Sequence, residues 1–320
     1  MIDAKLILKQ PEFIQENNLK RGKEIDINIA TELLKTRAKL TEDMQRMQQM
    51  SNGIADRMVA ATDAEKEILV KKGKAVKIEI KKFEGQLTGI EKNLQAELKK
   101  YPNILHGDVP KGKSERQNQE IRTHGEPKKF SFKPRHHIDL ATELGLIDMK
   151  RAAKASGARF AYIKGDLVLM QLALYQYALS ILAAEGFTPI IPPHLVTTES
   201  MSAMGYLDHG GEEEIYHMKK DDLVLIGTSE QAIGPMYKDE ILKEEDLPLR
   251  YAGISSCYRR EAGSYGKDTK GILRVHQFDK VEMFSFVDPE KSEEEHKKLL
   301  GLQERLMQGL ELPYRVMKLC

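Results

Sequence analysis

At 320 residues the chain is long enough for about two domains. Its 50 basic and 49 acidic side chains leave a net charge of +1, so bulk charge argues for neither nucleic acid nor membrane, and any basic site must be local. Cys257 and Cys320 are too few for a disulfide framework or a zinc cluster, the N-terminus lacks the apolar stretch of a signal peptide, and no unbroken apolar run reaches about 18 residues. The expected setting is a soluble, reducing, cytoplasmic compartment with no membrane partner.

The first third is polar and heptad-patterned. Over residues 28–60 a seam of Leu33, Arg37, Leu40, Met44, Met47, Ser51, Ile54 and Met58 alternates steps of four and three. Over 64–100 the same spacing runs through Leu69, Gly73, Val76, Ile80, Phe83, Leu87, Ile90 and Leu94, uninterrupted by proline. Such seams predict two long helices wound as a coiled coil. The connection Ala61-Thr62-Asp63 is short, which makes the helices antiparallel, with Asp63 the expected N-cap of the second. At 1.5 Å per residue each is roughly 50 Å long. Lys71, Lys74, Lys77, Lys81 and Lys82 fall on the side of the second helix away from the seam. Charge alone leaves two readings open, a solvated face or a row of cations following a nucleic-acid backbone.

Tyr101-Pro102-Asn103 ends the second helix and a Gly/Pro/Lys-rich linker follows, so the expected organisation is an arm over 1–105, a linker over 106–134 and a second domain over 135–320. A short helix is predicted over 139–150 and an apolar core helix over 167–184. Residues 186–194 are extended, and their prolines exclude a central strand. Strands are predicted over 223–226, 250–260 and 274–287, and a charged amphipathic helix over 290–309. Several strands without intervening helices make this domain α+β, a mainly antiparallel sheet flanked by helices.

The densest polar constellation is Cys257-Tyr258-Arg259-Arg260-Glu261, a glycine-rich loop over 262–271, and the segment 274–284. It is expected to form an antiparallel hairpin. Residues two apart share a strand face, which puts Arg259 with Glu261, and Phe278 with Lys280 and Glu282. A guanidinium fork fits phosphate or carboxylate oxygens, a phenyl ring stacks on a nucleobase, and carboxylates accept from ammonium and hydroxyl groups. The residues alone leave open an ordinary charged sheet surface or a site for a nucleotide and a zwitterion. Cys257 is expected to be a small core residue, and His136, His137 and His276 lack a third ligand at metal spacing, so no metal site is expected.

Tyr258-Arg259-Arg260-Glu261 and the glycine loop resemble motif 2 of class II aminoacyl-tRNA synthetases. Arg-Glu-Ala-Gly-Ser-Tyr-Gly over 260–266 and His276-Gln277-Phe278-Asp279-Lys280-Val281-Glu282 resemble the seryl-tRNA synthetase family in particular. Thr228-Ser229-Glu230 is similar to that family's serine-binding Thr-x-Glu signature, with Ser229 where many members have Ala, and Tyr258 stands where many have Phe. Gly186-Phe187-Thr188-Pro189 through Pro193 resembles motif 1, the dimer-forming segment. The N-terminal hairpin is similar to the family's tRNA-binding arm, and Pro102-Asn103 with Asp108-Val109-Pro110 to its linker.

The resemblance implies ATP-dependent activation of L-serine to seryl-adenylate and transfer to tRNA(Ser), with tRNA(Sec) a further acceptor, Mg2+ accompanying ATP, and a homodimer through motif 1. It implies Arg259 as the catalytic residue, bridging the α-phosphate and the serine carboxylate. It assigns ATP to Arg259, Arg260, Glu261, Val275 and Phe278, and serine to Thr228, Ser229, Glu230 and Glu282. It assigns tRNA to Lys71, Lys74, Lys77 and Lys81 on the arm and to Lys267 and Lys270 on the loop. Lys280 is expected to be an ion-pair partner rather than a catalyst. The family continues past Cys320 into motif 3, whose arginine meets the ATP γ-phosphate. The class II core is therefore expected to be incomplete at its C-terminal end. The alternative to a ligase is a non-catalytic relative that keeps tRNA binding.

Overall fold

In the structure, a computed structural model, residues 2–207, 211–262 and 271–320 are described. The chain divides into two compact units, Met1–Gln119 with Met317–Cys320, and Glu120–Val316.

The first unit is helical. Helix α1 (Ala4–Lys9) is capped by Asp3, whose carboxylate accepts the Lys5 N–H, and α2 (Pro11–Lys20) starts on a proline, which is pre-set for a first turn. Helices α3 (Ile27–Val59) and α4 (Asp63–Leu98) form the long hairpin. Its direction follows from its pairings. Arg37 bonds Glu91 at 3.4 Å, while a Cβ on Gly73 would lie 3.7 Å from Ile54, an order that only antiparallel helices give. Val76 and Leu94 are buried, and Leu40, Met44, Met47, Ile80, Phe83 and Leu87 are half-buried along the predicted seam. Arg37 departs from it: it is exposed and bridges the helices through its charge.

The cap of α4 is Thr62 rather than Asp63. Thr62 donates its N–H (2.9 Å) and its hydroxyl (2.6 Å) to Glu65 Oε2, so Asp63 becomes the first helical residue, where its charge suits the helix dipole. At the base of the hairpin Ile7, Ile14, Ala30, Leu34, Leu98 and Tyr101 share one core. Burial there pushes the Tyr101 phenol up to about 12. The Asn17 amide donates to Asn103 O (3.3 Å) and accepts from the Leu105 N–H (2.9 Å), fixing the path of the chain as it leaves α4.

Further along the chain β1 (Gln119–His124) is followed by α5 (His137–Glu143), β2 (Ile147–Asp148), α6 (Met149–Ser156), β3 (Tyr162–Ile163), α7 (Asp166–Ala184), β4 (Thr188–Ile190), β5 (Leu195–Thr197) and α8 (Thr198–Ala203). Then come β6 (His217–Met218), β7 (Leu223–Leu225), α9 (Glu230–Ile233), β8 (Leu249–Tyr258), β9 (Gln277–Phe286), α10 (Ser292–Gly309) and β10 (Tyr314–Lys318). The single helix expected over 139–150 is two. Gly145 turns the chain with φ at +69°, and Asp148 caps α6 by accepting the Arg151 N–H at 2.9 Å.

The central sheet has the order β4-β8-β9. β8 and β9 pair antiparallel along their whole length, from Leu249↔Phe286 to Tyr258↔Gln277. β4 runs parallel to β8 at the edge, where Pro189 needs no ladder donor. A second sheet, β5-β7-β6, is antiparallel, as is the β2–β3 pair, so the architecture is mainly antiparallel with β4 running parallel to β8.

One face of the hairpin is core. Ala252, Val281 and Met283 pack on Leu179 and Leu182 of α7, Leu299 and Leu302 of α10, and Phe187. Phe187 is thus buried inside its own unit and is not offered to a partner, contrary to its expected place in a dimer interface. Helix α7 is long and apolar enough to cross a membrane by length and composition, and Val168, Leu169, Met170, Leu172 and Leu174 are exposed, so it is less of a core helix than its composition predicts. Its polar side chains tie it into the unit: Gln171 donates to Asp279 (2.6 Å) and Tyr177 to Leu306 O (3.0 Å). Arg250 grips Glu295 of α10 with two bonds of 2.7 and 2.6 Å, and Ser285 donates to the same carboxylate (2.8 Å).

Candidate functional site

The opposite face of the hairpin carries the chemistry. Ladder pairing puts Gly253, Ser255 and Cys257 opposite Glu282, Lys280 and Phe278, so these six share a face. Cys257 is fully buried there, as expected of a small core residue, and burial pushes its thiol up. Gly253 makes room for the turn before α9. A Cβ at that point would sit 2.8 Å from both Ile233 Cδ1 and Ser229 Oγ.

That close approach delivers three donors to one carboxylate oxygen. Glu282 Oε2 accepts from the Thr228 hydroxyl, the Ser229 hydroxyl (3.0 Å) and the Glu230 N–H (3.2 Å), while Oε1 accepts from Lys280 Nζ (2.9 Å). Burial alone would raise the Glu282 pKa, but Thr228, Lys280 and the Glu230 amide outweigh it and hold the group below the usual carboxylate range. Lys280 therefore stands as an ion-pair partner. Next to it Tyr206 donates to Glu230 Oε2 at 2.9 Å; burial, then Glu230, push this phenol up, so it stays a neutral donor.

Arg259 and Glu261 are not arranged by strand alternation, because β8 ends at Tyr258. Arg259 is held by its backbone, donating to His276 O at 3.0 Å, while its carbonyl lies 2.9 Å from His276 Nδ1. Its Nε (3.3 Å) and Nη2 (3.2 Å) donate to Gly227 O, and its guanidinium lies 5.2 Å from the centre of the Phe278 ring. Glu261 turns the chain with φ at +52° and pairs with Arg274 at 3.3 Å, while Arg159 donates to its carbonyl at 3.1 Å.

Thr228, Glu230, Arg259, Glu261 and Lys280 line one cavity of about 620 Å3, together with Tyr206, Gln231 and Arg274. Ser229 is fully buried under the turn and meets the site only through Glu282. Val275 and Phe278 line a different cavity, of about 580 Å3, between α6, α7 and β9. Arg260 is exposed, and its N–H donates to Glu214 O at 2.9 Å. Lys71, Lys74, Lys77 and Lys81 are exposed on α4, with Lys71 paired to Glu67 at 3.1 Å. Lys267 and Lys270 lie outside the described residues. Sequence reasoning passed over Tyr206, Gln231, Gly227 and Gly253. None carries a charge or a repeat, and each matters only through a neighbour distant in the chain.

Among the described residues no three His, Cys, Asp or Glu side chains gather as a metal site. Of the carboxylates lining the cavity, Glu230 is engaged by Tyr206 and Glu261 by Arg274, and Glu282 behind them is held by Lys280 and the turn.

Known proteins resemble this chain along its whole length. Residues 1–105 match the family model for the seryl-tRNA synthetase N-terminal domain, and residues 214–320 that for the tRNA synthetase class II core domain (G, H, P, S and T). The chain is 39% identical over 323 residues to a serine–tRNA ligase of Dictyoglomus turgidum, covering all of this chain and 76% of the relative. It is 40% identical over 322 residues to the serine–tRNA ligase of Streptomyces coelicolor, covering 99% of the chain and 75% of that protein. A crystal structure of seryl-tRNA synthetase from Pyrococcus horikoshii complexed with ATP superposes with a TM-score of 0.86 at 35% identity, over 99% of this chain and 76% of that one. The cytoplasmic serine–tRNA ligase of Naegleria fowleri in complex with AMP gives 0.82 at 28% identity, over 99% and 77%.

Proposed function

Because the chain belongs to the seryl-tRNA synthetase family, we propose that its cavity activates L-serine with ATP and passes the seryl group to tRNA. The serine carboxylate attacks the α-phosphate and pyrophosphate leaves; the terminal adenosine hydroxyl of tRNA(Ser) then attacks the seryl carbonyl of the adenylate, forming the ester and releasing AMP, with tRNA(Sec) a second acceptor. What carries this reading is the convergence of Arg259, Thr228 and Glu230 on one cavity wall, with Glu282 bonded behind them.

In this scheme Arg259 bridges the α-phosphate and the serine carboxylate and stabilises the charge that builds between them. Phe278 gives adenine a stacking surface beside the guanidinium. The pairing of Glu261 with Arg274 supports a role in ordering the hairpin. Thr228 and Glu230 take the serine ammonium, with Glu282 receiving the ammonium or the hydroxyl. A pocket that hydrogen-bonds a hydroxyl rejects alanine, because its buried polar groups would be left unpaired. Magnesium, arriving with the nucleotide, would neutralise phosphate charge. The exposed α4 lysines support contact with the tRNA backbone. The two free thiols suit a reducing, cytoplasmic compartment, and a homodimer through residues 188–193 would use the exposed Ile191 in place of Phe187.

The test is calorimetric titration with ATP and with L-serine, using L-alanine and L-threonine as controls. Saturable binding of ATP and serine, weakened for both by Arg259→Ala, is the expected result. Binding of neither ligand, or equal binding of serine and alanine, would overturn the reading.

A further inference from the structure

We propose that Gln231 is the positioning residue for Arg259, acting through Gly227. The inference rests on the ligase reading in one respect, that Arg259 is the group that meets the ATP phosphate.

Gln231 is buried, and its Oε1 accepts the Gly227 N–H at 2.7 Å. Gly227 in turn accepts the Arg259 fork on its carbonyl, from Nε at 3.3 Å and Nη2 at 3.2 Å. One glycine thus carries two anchors of opposite sense, an amide held from the α9 side and a carbonyl that holds the arginine. Gly227 is itself buried, so its N–H has no bulk water to turn to if the Gln231 oxygen is removed. A Cβ on Gly227 would be in contact with Arg259 at 3.4 Å from Cγ and 3.5 Å from Nε, so the arginine stem rests directly on this backbone.

Arg259 needs such a rest. It lies beyond the end of β8, where the Gly227 carbonyl and the Phe278 ring hold its head. A long side chain loses rotamer entropy when it is fixed, and a fork docked in advance on a locked carbonyl has met that cost before a ligand arrives. Charge stabilisation depends on this kind of preorganisation. Gln231 follows Thr228-Ser229-Glu230 directly in the chain, so the segment that forms the serine side of the cavity also sets the arginine that faces the nucleotide.

Two measurements on the full chain test this. Gln231→Met keeps the length and removes the acceptor, and Gln231→Glu keeps an acceptor. The first readout needs no ligand: the Arg259 Nε–H resonance in 15N NMR, assigned by its loss in Arg259→Lys. It should be protected from solvent exchange in the unaltered chain and in Gln231→Glu, and lose at least tenfold of that protection in Gln231→Met. The second is ATP titration. Gln231→Met should bind about tenfold more weakly, the scale expected for an unpaired buried amide. Gln231→Glu should recover most of the affinity, and Gln231→Met should cost little further in an Arg259→Ala background. Unchanged protection in Gln231→Met overturns the proposal, as does a loss of affinity that persists undiminished without Arg259. An unaltered chain that binds no ATP refutes the ligase reading, and the resonance still decides the positioning.

Discussion

Replacing Glu282 by Gln tests the centre of the site. The substitution keeps the volume and removes the charge. Glu282 is about one fifth exposed and Lys280 about one third, so their ion pair is worth nearer the surface value, about 1 kcal/mol. The bonds from Ser229 (3.0 Å) and the Glu230 N–H (3.2 Å), with that from Thr228, are charge-assisted in the native protein and neutral in the variant, a loss of roughly 1 kcal/mol for each well-formed bond. Relief of the cost of burying a charge returns part of this, leaving a net destabilisation of about 2 kcal/mol. The sign of its pH dependence follows from the lowered pKa. A carboxylate whose folded pKa is depressed contributes stability that is fully present above the unfolded value, about 4.3, and lost as pH falls through the folded one. Urea midpoints of both proteins at pH 7, 5 and 4 should show a gap that is full at pH 7 and 5 and begins to narrow at pH 4. A variant as stable as the unaltered chain at pH 7, or a gap that widens on acidification, would refute the reasoning.

Charge reversal at Lys74 and Lys81 should weaken tRNA binding and reduce its salt slope by roughly one per lysine, read by anisotropy across a salt series; an unchanged slope returns these lysines to a solvated face. Gly253→Ala should cost about 1–3 kcal/mol in chemical denaturation, because the new methyl meets Ile233 and Ser229 at 2.8 Å. Glu295→Ala should cost about 3 kcal/mol, since it strands the Arg250 guanidinium under the sheet, and its difference from the unaltered chain should shrink in acid as the Arg250-lowered carboxyl protonates.

The arm was readable because a coiled coil repeats its cause. Each Leu, Met or Ile of the seam is placed by the same spacing, and one wrong assignment, Arg37, leaves the rest standing. The cap was misread because Asp63 and Thr62 are both good capping residues, and only the reach of Glu65 back to Thr62 separates them. Helix α7 was readable as a helix but not as a surface, since composition reports how apolar a segment is and not what covers it. Strand alternation predicted correctly that Phe278, Lys280 and Glu282 share a face, and Arg259 and Glu261 do line one cavity together, though alternation is not what puts them there. Beyond Tyr258 there is no pleat, and the positions of Arg259 and Glu261 are set by His276, Gly227, Arg159 and Arg274.

That difference in cause marks how the site is built. The residues whose type announces chemistry, Arg259 and Glu282, lie on or just past the hairpin, which sets the face of Glu282 and holds the Arg259 backbone. The polar heads of both are held as well by the short segment from Gly227 to Gln231. Its hydroxyls and its Glu230 N–H hold Glu282, and its Gly227 carbonyl holds Arg259. The segment can lie close enough to do this because Gly253 has no side chain opposite Glu282. A glycine in the middle of a strand normally weakens it. Here the loss in the ladder is offset by the approach of a turn that supplies three donors to one carboxylate. The same approach puts the guanidinium and the carboxylate on fixed supports about one turn of chain apart. A sequence motif names the residues at the ends of these bonds. The glycines and the glutamine that set their lengths become visible only when the two segments are brought together.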